Sequence, residues 1–378
     1  MGQQRAPQEF FFYRGRTALY VLLRALDIHP GDEILTQAYT CLAVVAPILG
    51  VGAIPIYADI TPERFSFDPG CVEPLITSRT RVMIIQHTFG IPAEIDPLLE
   101  IARRHNLTVI EDCAHVSQGS YRGRPLGSFG AASIYSFQWS KPLVVGRGGS
   151  AVINDLALAE RVEKLYQNFA WPSRKDRAII NLQYAAFNLI RRRKIFDYLR
   201  RAIRAISPSA TGTIRAEELE GKITEEYNLR MAPNLQRRIA SKRRDEPTAI
   251  ARKRELGRRL HAHLQSLGVS PLDLPSDVKT TFLRYPVLAS DRDRVIQLGR
   301  ERDLEIEQYY TSPIDPLGRG DWPRVRYRAE SCPRAEAAVA HTVTVPIHAW
   351  TTDETWNKVM AFFSEMRERG LLRPRLDL

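Results

Sequence analysis

The sequence predicts an α/β fold: a large domain on a mostly parallel sheet, followed by a smaller C-terminal α/β domain. Three observations predict it. Apolar periodicity alternates between helical and strand spacing from residue 17 to about 154. The strand-like runs are short and continuously apolar, as strands covered on both faces are. After a basic stretch that interrupts the pattern, a shorter mixed α/β pattern resumes. The 378 residues leave room for two or three domains.

The elements follow in order. Thr17 is placed to cap a helix carrying Leu19, Leu22, Leu23 and Leu26. His29-Pro30-Gly31-Asp32 is a turn, followed by a strand at Glu33–Leu35, a helix over Leu42–Leu49 and a strand at Ala53–Tyr57. Arg81–Gln86 and Leu107–Ile110 read as buried strands around a helix over Asp96–His105. Ser133–Phe137 and Ser150–Ile153 add two strands, and Leu156–Asn168 a helix.

Residues from about 171 to 226 break the alternation. Between Ser173 and Arg215 stand eleven Lys/Arg against two Asp, interleaved with apolar residues. An amphipathic helix lying on a membrane surface fits that pattern; so does a helix docked on the protein's own body with its arginines solvated. An Arg-rich helix over 235–265 follows, then a strand (Thr281–Leu288), a helix (Arg292–Arg302), a strand (Thr342–Pro346) and a last helix behind the capping box Thr351–Glu354. The expected division is a large domain over 1–235, including the basic insertion, and a small one over 236–378.

Composition sets outer bounds. With 44% hydrophobic and 26% charged residues, wholesale disorder is excluded. The net charge of +11 favours anionic partners, among them phosphorylated small molecules, nucleic acid or a membrane surface. Four scattered cysteines without a CxxC pair suggest neither a zinc ribbon nor a disulfide framework. No stretch of about 18 apolar residues occurs, and a cytoplasmic location is expected. His261 and His263 read as a solvated helix face, and no metal site is expected.

Three features could carry chemistry. Asp112 ends the strand Leu107–Ile110, where open α/β sheets bind ligands, and can meet a cationic group there; a solvated turn is the plainer reading. Lys141 follows Ser136 just past another strand, where partial desolvation activates an amine for Schiff-base chemistry; a surface lysine is the alternative. Gly15-Arg16-Thr17 lies directly before the first helix and offers backbone N–H groups to a phosphate, or serves only as a cap. His87 and Cys113 read as packing residues, and Trp139 as packing or pocket lining.

Taken together, these features resemble the DegT/StrS-type sugar aminotransferases, which are fold-type I pyridoxal-phosphate (PLP) enzymes. The segments that carry the resemblance include GRTALYVLLRALDIHPGDEILTQAYT, HTFGIPAEIDPLLEIARRHNLTVIEDCAH, YRGRPLGSFGAASIYSFQWSK, GGSAVIND, YNLRMAPNLQ and VPIHAWTTDE, over roughly residues 14–168 and 224–365. The resemblance implies that Lys141 binds the cofactor covalently and shuttles a proton. It places Asp112 on the pyridinium nitrogen, Ala114 against one ring face and His115, for the usual Gln, beside the phenolic oxygen. Ser136 and the backbone at Arg16 and Thr17 would hold the phosphate, together with Asn228 from a second subunit of a homodimer, supported by Arg230.

The chain departs from the family pattern at four places. Cys41 stands where an aromatic usually stacks on the ring, with Tyr39 as the candidate to move in. Arg147 replaces an acidic residue and would lower the pKa of a nearby lysine amine. His115 replaces Gln. The segment Gln308–Pro313 lacks a His found near the substrate in many relatives. The implied function is amination of a keto sugar, expected to be nucleotide-linked, with an amino acid donor such as glutamate. Two other readings stay open: a PLP-dependent dehydratase or lyase, and a non-enzymatic basic protein binding nucleic acid or membrane on the same fold.

Overall fold

The computed structural model describes residues 6–192 and 216–376. Its centre is a seven-stranded sheet formed by β1 (Gln8–Phe12), β2 (Glu33–Gln37), β3 (Ile54–Ala58), β4 (Thr80–Gln86), β5 (Thr108–Asp112), β6 (Ala132–Ser136) and β7 (Gly149–Ile153). The spatial order is β1-β7-β6-β5-β4-β2-β3. Strands β6, β5, β4, β2 and β3 run parallel; β7 is antiparallel to β6 and to β1. The parallel strands are buried nearly throughout, which is why they read as continuous apolar runs.

Register decides what the sheet presents at its carboxyl edge. Gln86 pairs with Asp112, and Asp112 with Ile134, so the ends of β4, β5 and β6 lie side by side. His87, Asp112 and Ser136 therefore emerge on one edge. Helices α1 (Gly15–Ala25), α2 (Leu42–Gly50), α3 (Ile95–Arg104) and α4 (Leu156–Gln167) cover the sheet. Leu19, Leu22 and Leu23 of α1 pack with Ile84, Ile110 and Ile134, while Leu98 and Ile101 of α3 pack with Met83 and Ile85.

Helix α5 (Arg174–Arg192) is the described part of the basic insertion; residues 193–215 of that predicted amphipathic segment lie outside the described residues. One face of α5 is docked. Ile180 is buried among Phe137, Val145, Met231 and Leu235, and Phe187 lies 5.0 Å from the Trp139 ring. Asn181 accepts from Asn234 and Arg238, and the Arg238 guanidinium stacks 4.0 Å from the Tyr184 ring centre. Ile179, Leu182 and Leu189 face outward, with Leu182 72% exposed.

The 34-residue helix α6 (Pro233–Ser266) follows. Leu235 and Ile239 pack against the first lobe, while Leu256, Leu260 and Leu264 join the C-terminal elements. Those are β8 (Arg284–Leu288) antiparallel to β9 (Thr342–Pro346), with α7 (Arg292–Glu301), α8 (Pro333–His341) and α9 (Asp353–Glu368). Their core is continuous with that of the first lobe: Tyr39, Leu42, Phe65 and Phe89 pack in one cluster with Phe282, Tyr310, Ile314 and Trp356. A two-residue parallel bridge pairs Thr40 with Ile314 and Cys41 with Asp315. Among the described residues, no helix is long and apolar enough to cross a membrane.

Local details differ from the sequence expectation. The first helix starts at Gly15 with Arg14 at its N-cap, and Thr17 is buried in its first turn rather than capping it. The last helix is capped by Thr352, whose hydroxyl accepts from Thr355 N–H. Strand β1 was not expected; its run of aromatics gains strand geometry from pairing with β7, a partner 140 residues away. Nor was α8.

Candidate active site

Asp112 ends β5 with its carboxylate buried. Its Oδ1 accepts the Ala114 N–H at 2.9 Å, which turns the chain and brings His115 to the same edge. Burial raises the carboxyl pKa above its usual range, against the Ala114 bond and the charges of Lys141 and His87.

His115 is fixed from two sides. Its Nδ1 accepts the Phe89 N–H at 3.2 Å, so Nε2 carries the proton and points to Tyr309 Oη, 3.1 Å away. The imidazole lies parallel to the Phe89 ring. Burial, with Lys141 and Arg284 nearby, pushes its pKa well below the usual histidine value. The ring is therefore neutral and offers one N–H donor.

Lys141 sits in the loop after β6, half-buried. Burial opposes its charge, but Tyr309, Cys41 and Asp112 surround the amine and hold its pKa above the ordinary lysine value. Depression by Arg147 does not occur. The Arg147 guanidinium turns to Tyr13, bonding its hydroxyl and lying 4.9 Å from the ring centre. Tyr39 does not move in either: it is 1% exposed and packed against Tyr310, 4.8 Å away. Cys41 remains at the site, as the N-cap of α2.

The edge beside Lys141 contains an anion seat. Helix α1 has no side-chain cap, so its first N–H groups are open. A Cβ on Gly15 would stand 3.3 Å from Ser136 Cβ and 3.5 Å from its Oγ; glycine keeps that space clear. The side chain of Arg16 points elsewhere, pairing with buried Glu218 at 3.1 Å and with Glu226. Only its backbone is available to the seat. Asn228 is exposed, two residues from Glu226. Arg230 stacks on Tyr166 and donates to the carbonyls of Tyr166 and Gln167, a packing role.

Four residues at the site were not assigned roles from sequence. Tyr309 contacts His115, Tyr310 lines the same aromatic group, and Arg284 lies 5.0 Å over the Tyr309 ring. Asp315 sits beside Cys41, its Oδ1 held by Thr311 N–H and hydroxyl, close enough to feel Lys141. The only signal was the missing His in Gln308–Pro313, the segment that holds Tyr309 and Tyr310.

A family model for the DegT/DnrJ/EryC1/StrS aminotransferases matches residues 12–364. The chain belongs to this family. Among curated DegT-family relatives, L-glutamine:scyllo-inosose aminotransferase of Streptomyces griseus is 40% identical over 151 residues, 40% of this chain and 36% of that protein. GDP-perosamine synthase of Caulobacter vibrioides is 38% identical over 161 residues, 43% of each chain. The chain thus spans little more than a third of the length of the curated relatives it first matches, 36% for the first. Among solved structures, the S. venezuelae DesV structure shares 25% identity with a TM-score of 0.72, covering 97% of this chain and 86% of that one. The putative sugar aminotransferase Spr1654 of Streptococcus pneumoniae, solved in a PLP form, shares the fold at 20% identity and a TM-score of 0.71, covering 97% and 88%.

The residues of this DegT-family chain fit pyridoxal phosphate. The open α1 N-terminus and the Gly15–Ser136 space suit a phosphate. The buried Asp112 carboxylate suits a ring cation. The His115 N–H suits a phenolate oxygen, and the Lys141 amine lies among these groups.

Proposed function

We propose that this protein is a PLP-dependent aminotransferase that aminates a keto sugar, using glutamate or glutamine as donor. The observation that carries the reading is the convergence of Lys141, Asp112 and His115 beside the open N-terminus of α1. The cofactor, when bound, supplies an electron sink and a site that carries the amino group between donor and acceptor.

The chain's own residues do the rest. Asp112 holds a proton on the ring nitrogen, and that cationic partner in turn offsets the burial that raises the carboxyl pKa. His115 donates from Nε2 to the phenolic oxygen and stays neutral. Ser136 and the Arg16 and Thr17 backbone N–H groups anchor the phosphate; Ala114 supports one ring face. Lys141 would attach the cofactor and, when released, would take up and return a proton at its Nζ in each half-reaction. Asn228 completes the phosphate site of a second copy in a homodimer; its exposure on the single chain supports this. The two lobes divide near residue 235, inside α6.

The keto sugar is nucleotide-linked in this reading, which the +11 charge supports. The test is to add PLP, reduce with borohydride and map the adduct, then offer nucleotide-linked keto sugars and free keto-cyclitols with each donor. An adduct on Lys141 and an aminated sugar are expected. Product formed without an amino donor would favour a dehydratase instead.

One observation favours a second role for the insertion. Trp171, Ile179, Leu182 and Leu189 are exposed apolar residues beside a strongly basic stretch. They support peripheral contact of residues 174–215 with an anionic membrane surface. Co-sedimentation with anionic vesicles at low salt checks this, and free protein in the supernatant ends it.

A further inference from the structure

The loop that carries Lys141 closes on itself. The Phe137 N–H donates to the Gly148 carbonyl at 2.9 Å, the Val145 N–H donates to the Phe137 carbonyl at 3.1 Å, and Gln138 bridges to Gly146. At the tip, the Lys141 N–H donates to the Gln138 carbonyl at 3.1 Å, so Trp139 and Ser140 are the central residues of a turn. A side chain at the first central position moves with the plane of the turn. Where the Trp139 indole is seated, the Lys141 backbone follows.

Helix α5 supplies part of that seat. The Phe187 ring centre lies 5.0 Å from that of Trp139, with the planes tilted by 47°. Ile180 is buried against Phe137, Leu143 and Val145 of the same loop. Gly146 leaves room for both. It has φ of +104°, and a Cβ there would stand 3.2 Å from the indole and 3.6 Å from Ile180 Cγ2. The indole and the Ile180 side chain therefore meet over a position that only glycine keeps open. The helix is anchored in turn to α6, through Asn181 with Asn234 and Arg238, and through the stack of Arg238 on Tyr184.

We propose that Trp139 is a positioning residue for Lys141, and that α5 braces it through Phe187 and Ile180. The inference rests on the aminotransferase reading for what Lys141 does. A lysine amine sits on a flexible four-carbon stem. It meets a carbonyl carbon in the same geometry each time only if the backbone beneath it is fixed. A displacement of about 1 Å can cost about a hundredfold in rate. The basic insertion, which lies outside the segments that carry the sequence resemblance, thus serves the site without placing a group in it.

The experiment uses the full-length protein as wild type, Trp139→Ala, Phe187→Ala and Phe187→Tyr, which keeps the ring. Ile101→Ala, in a separate core cluster under α3, loosens the fold while leaving these contacts alone. Two rates are read. One is amide hydrogen exchange across residues 137–146 in cofactor-free protein. The other is the rate at which added PLP becomes fixed to Lys141 on borohydride quenching, mapped by peptide mass spectrometry. Trp139→Ala and Phe187→Ala should each exchange about tenfold faster at the tip and fix PLP about tenfold more slowly. Phe187→Tyr and Ile101→Ala should match wild type in both. Wild-type exchange or wild-type fixation in Phe187→Ala or Trp139→Ala overturns the proposal. Equal slowing in Ile101→Ala overturns it too, because that outcome reads general loosening. No fixation by wild type would sink the aminotransferase reading, while exchange in the loop still judges the brace.

Discussion

His87 Nε2 lies 3.1 Å from Glu111 Oε2, with both side chains closed to solvent. His87 Nδ1 accepts the Ala93 N–H, so Nε2 is the donor. Glu111 also accepts the N–H groups of Gly127, Phe129 and Gly130 at 2.8, 2.6 and 3.0 Å. With Cys113 these residues bring potential metal-ligand atoms within 4.8 Å of one another, but the donors of His87 and Glu111 are already engaged. The pair ties β4 to the loop before β6, directly behind Asp112.

Glu111→Ala strands the buried Gly127 N–H, the part-buried N–H groups of Phe129 and Gly130, and the buried His87 donor. We expect a loss of about 3 kcal/mol or more, read by urea unfolding. The Glu111 pKa is lowered in the fold: burial raises it, and the bonds from His87, Gly127 and Gly130 outweigh that. Its stabilisation is therefore complete above the ordinary carboxylate range and lost as pH falls through the lower folded value. In wild type the acid limb of the stability curve should contain this contribution, and in the variant it should be flatter.

Asp112→Asn keeps the shape of the β5 terminus but removes the charge opposed to a ring nitrogen. Transamination should fall by about a hundredfold or more, with the thermal midpoint nearly unchanged. Turnover close to wild type would assign the ring proton to another group.

Gly15→Ala places a methyl group 3.3 Å from Ser136 Cβ, in the space assigned to the phosphate. PLP affinity should drop about tenfold or more by absorbance titration, equivalent to about 1.4 kcal/mol. Tight binding in this variant would move the phosphate elsewhere.

Mixing Lys141→Ala with Asn228→Ala checks the shared site. If Asn228 serves a second copy, exchange of subunits generates heterodimers with one intact site, and activity returns. Persistent inactivity after demonstrated exchange places Asn228 in its own chain's site or outside it.

The two faces of α5 should respond differently to truncation. Ile180→Ala opens a cavity among Phe137, Met231 and Leu235 and should cost about 2–4 kcal/mol. Leu182→Ala, at a position 72% exposed, should change stability by about 0.5 kcal/mol or less. Equal effects would mean that the helix docks through another face.

The parallel sheet was legible because strands buried on both sides must be apolar along their whole length, and β4 and β5 show this directly. Asp112 and Lys141 were legible for a related reason. Each follows a strand closely, and the loops of an α/β sheet leave little freedom in where the next residues emerge. Strand β1 was not legible, because five residues acquire strand structure only from β7.

The sequence by itself determined the order of the elements, the charged insertion and the residues at the carboxyl edge of the sheet, since these depend on local periodicity and short loops. Tertiary structure alone decided the directions of the long side chains. Arg147 read locally as a site cation, but Tyr13 draws it away. Tyr309 stood out in the sequence only as part of a segment that lacks a His, but the shared core brings its hydroxyl to His115. A flexible side chain takes the partner that best satisfies its charge and hydrogen bonds, and that partner is known only when distant segments have packed together.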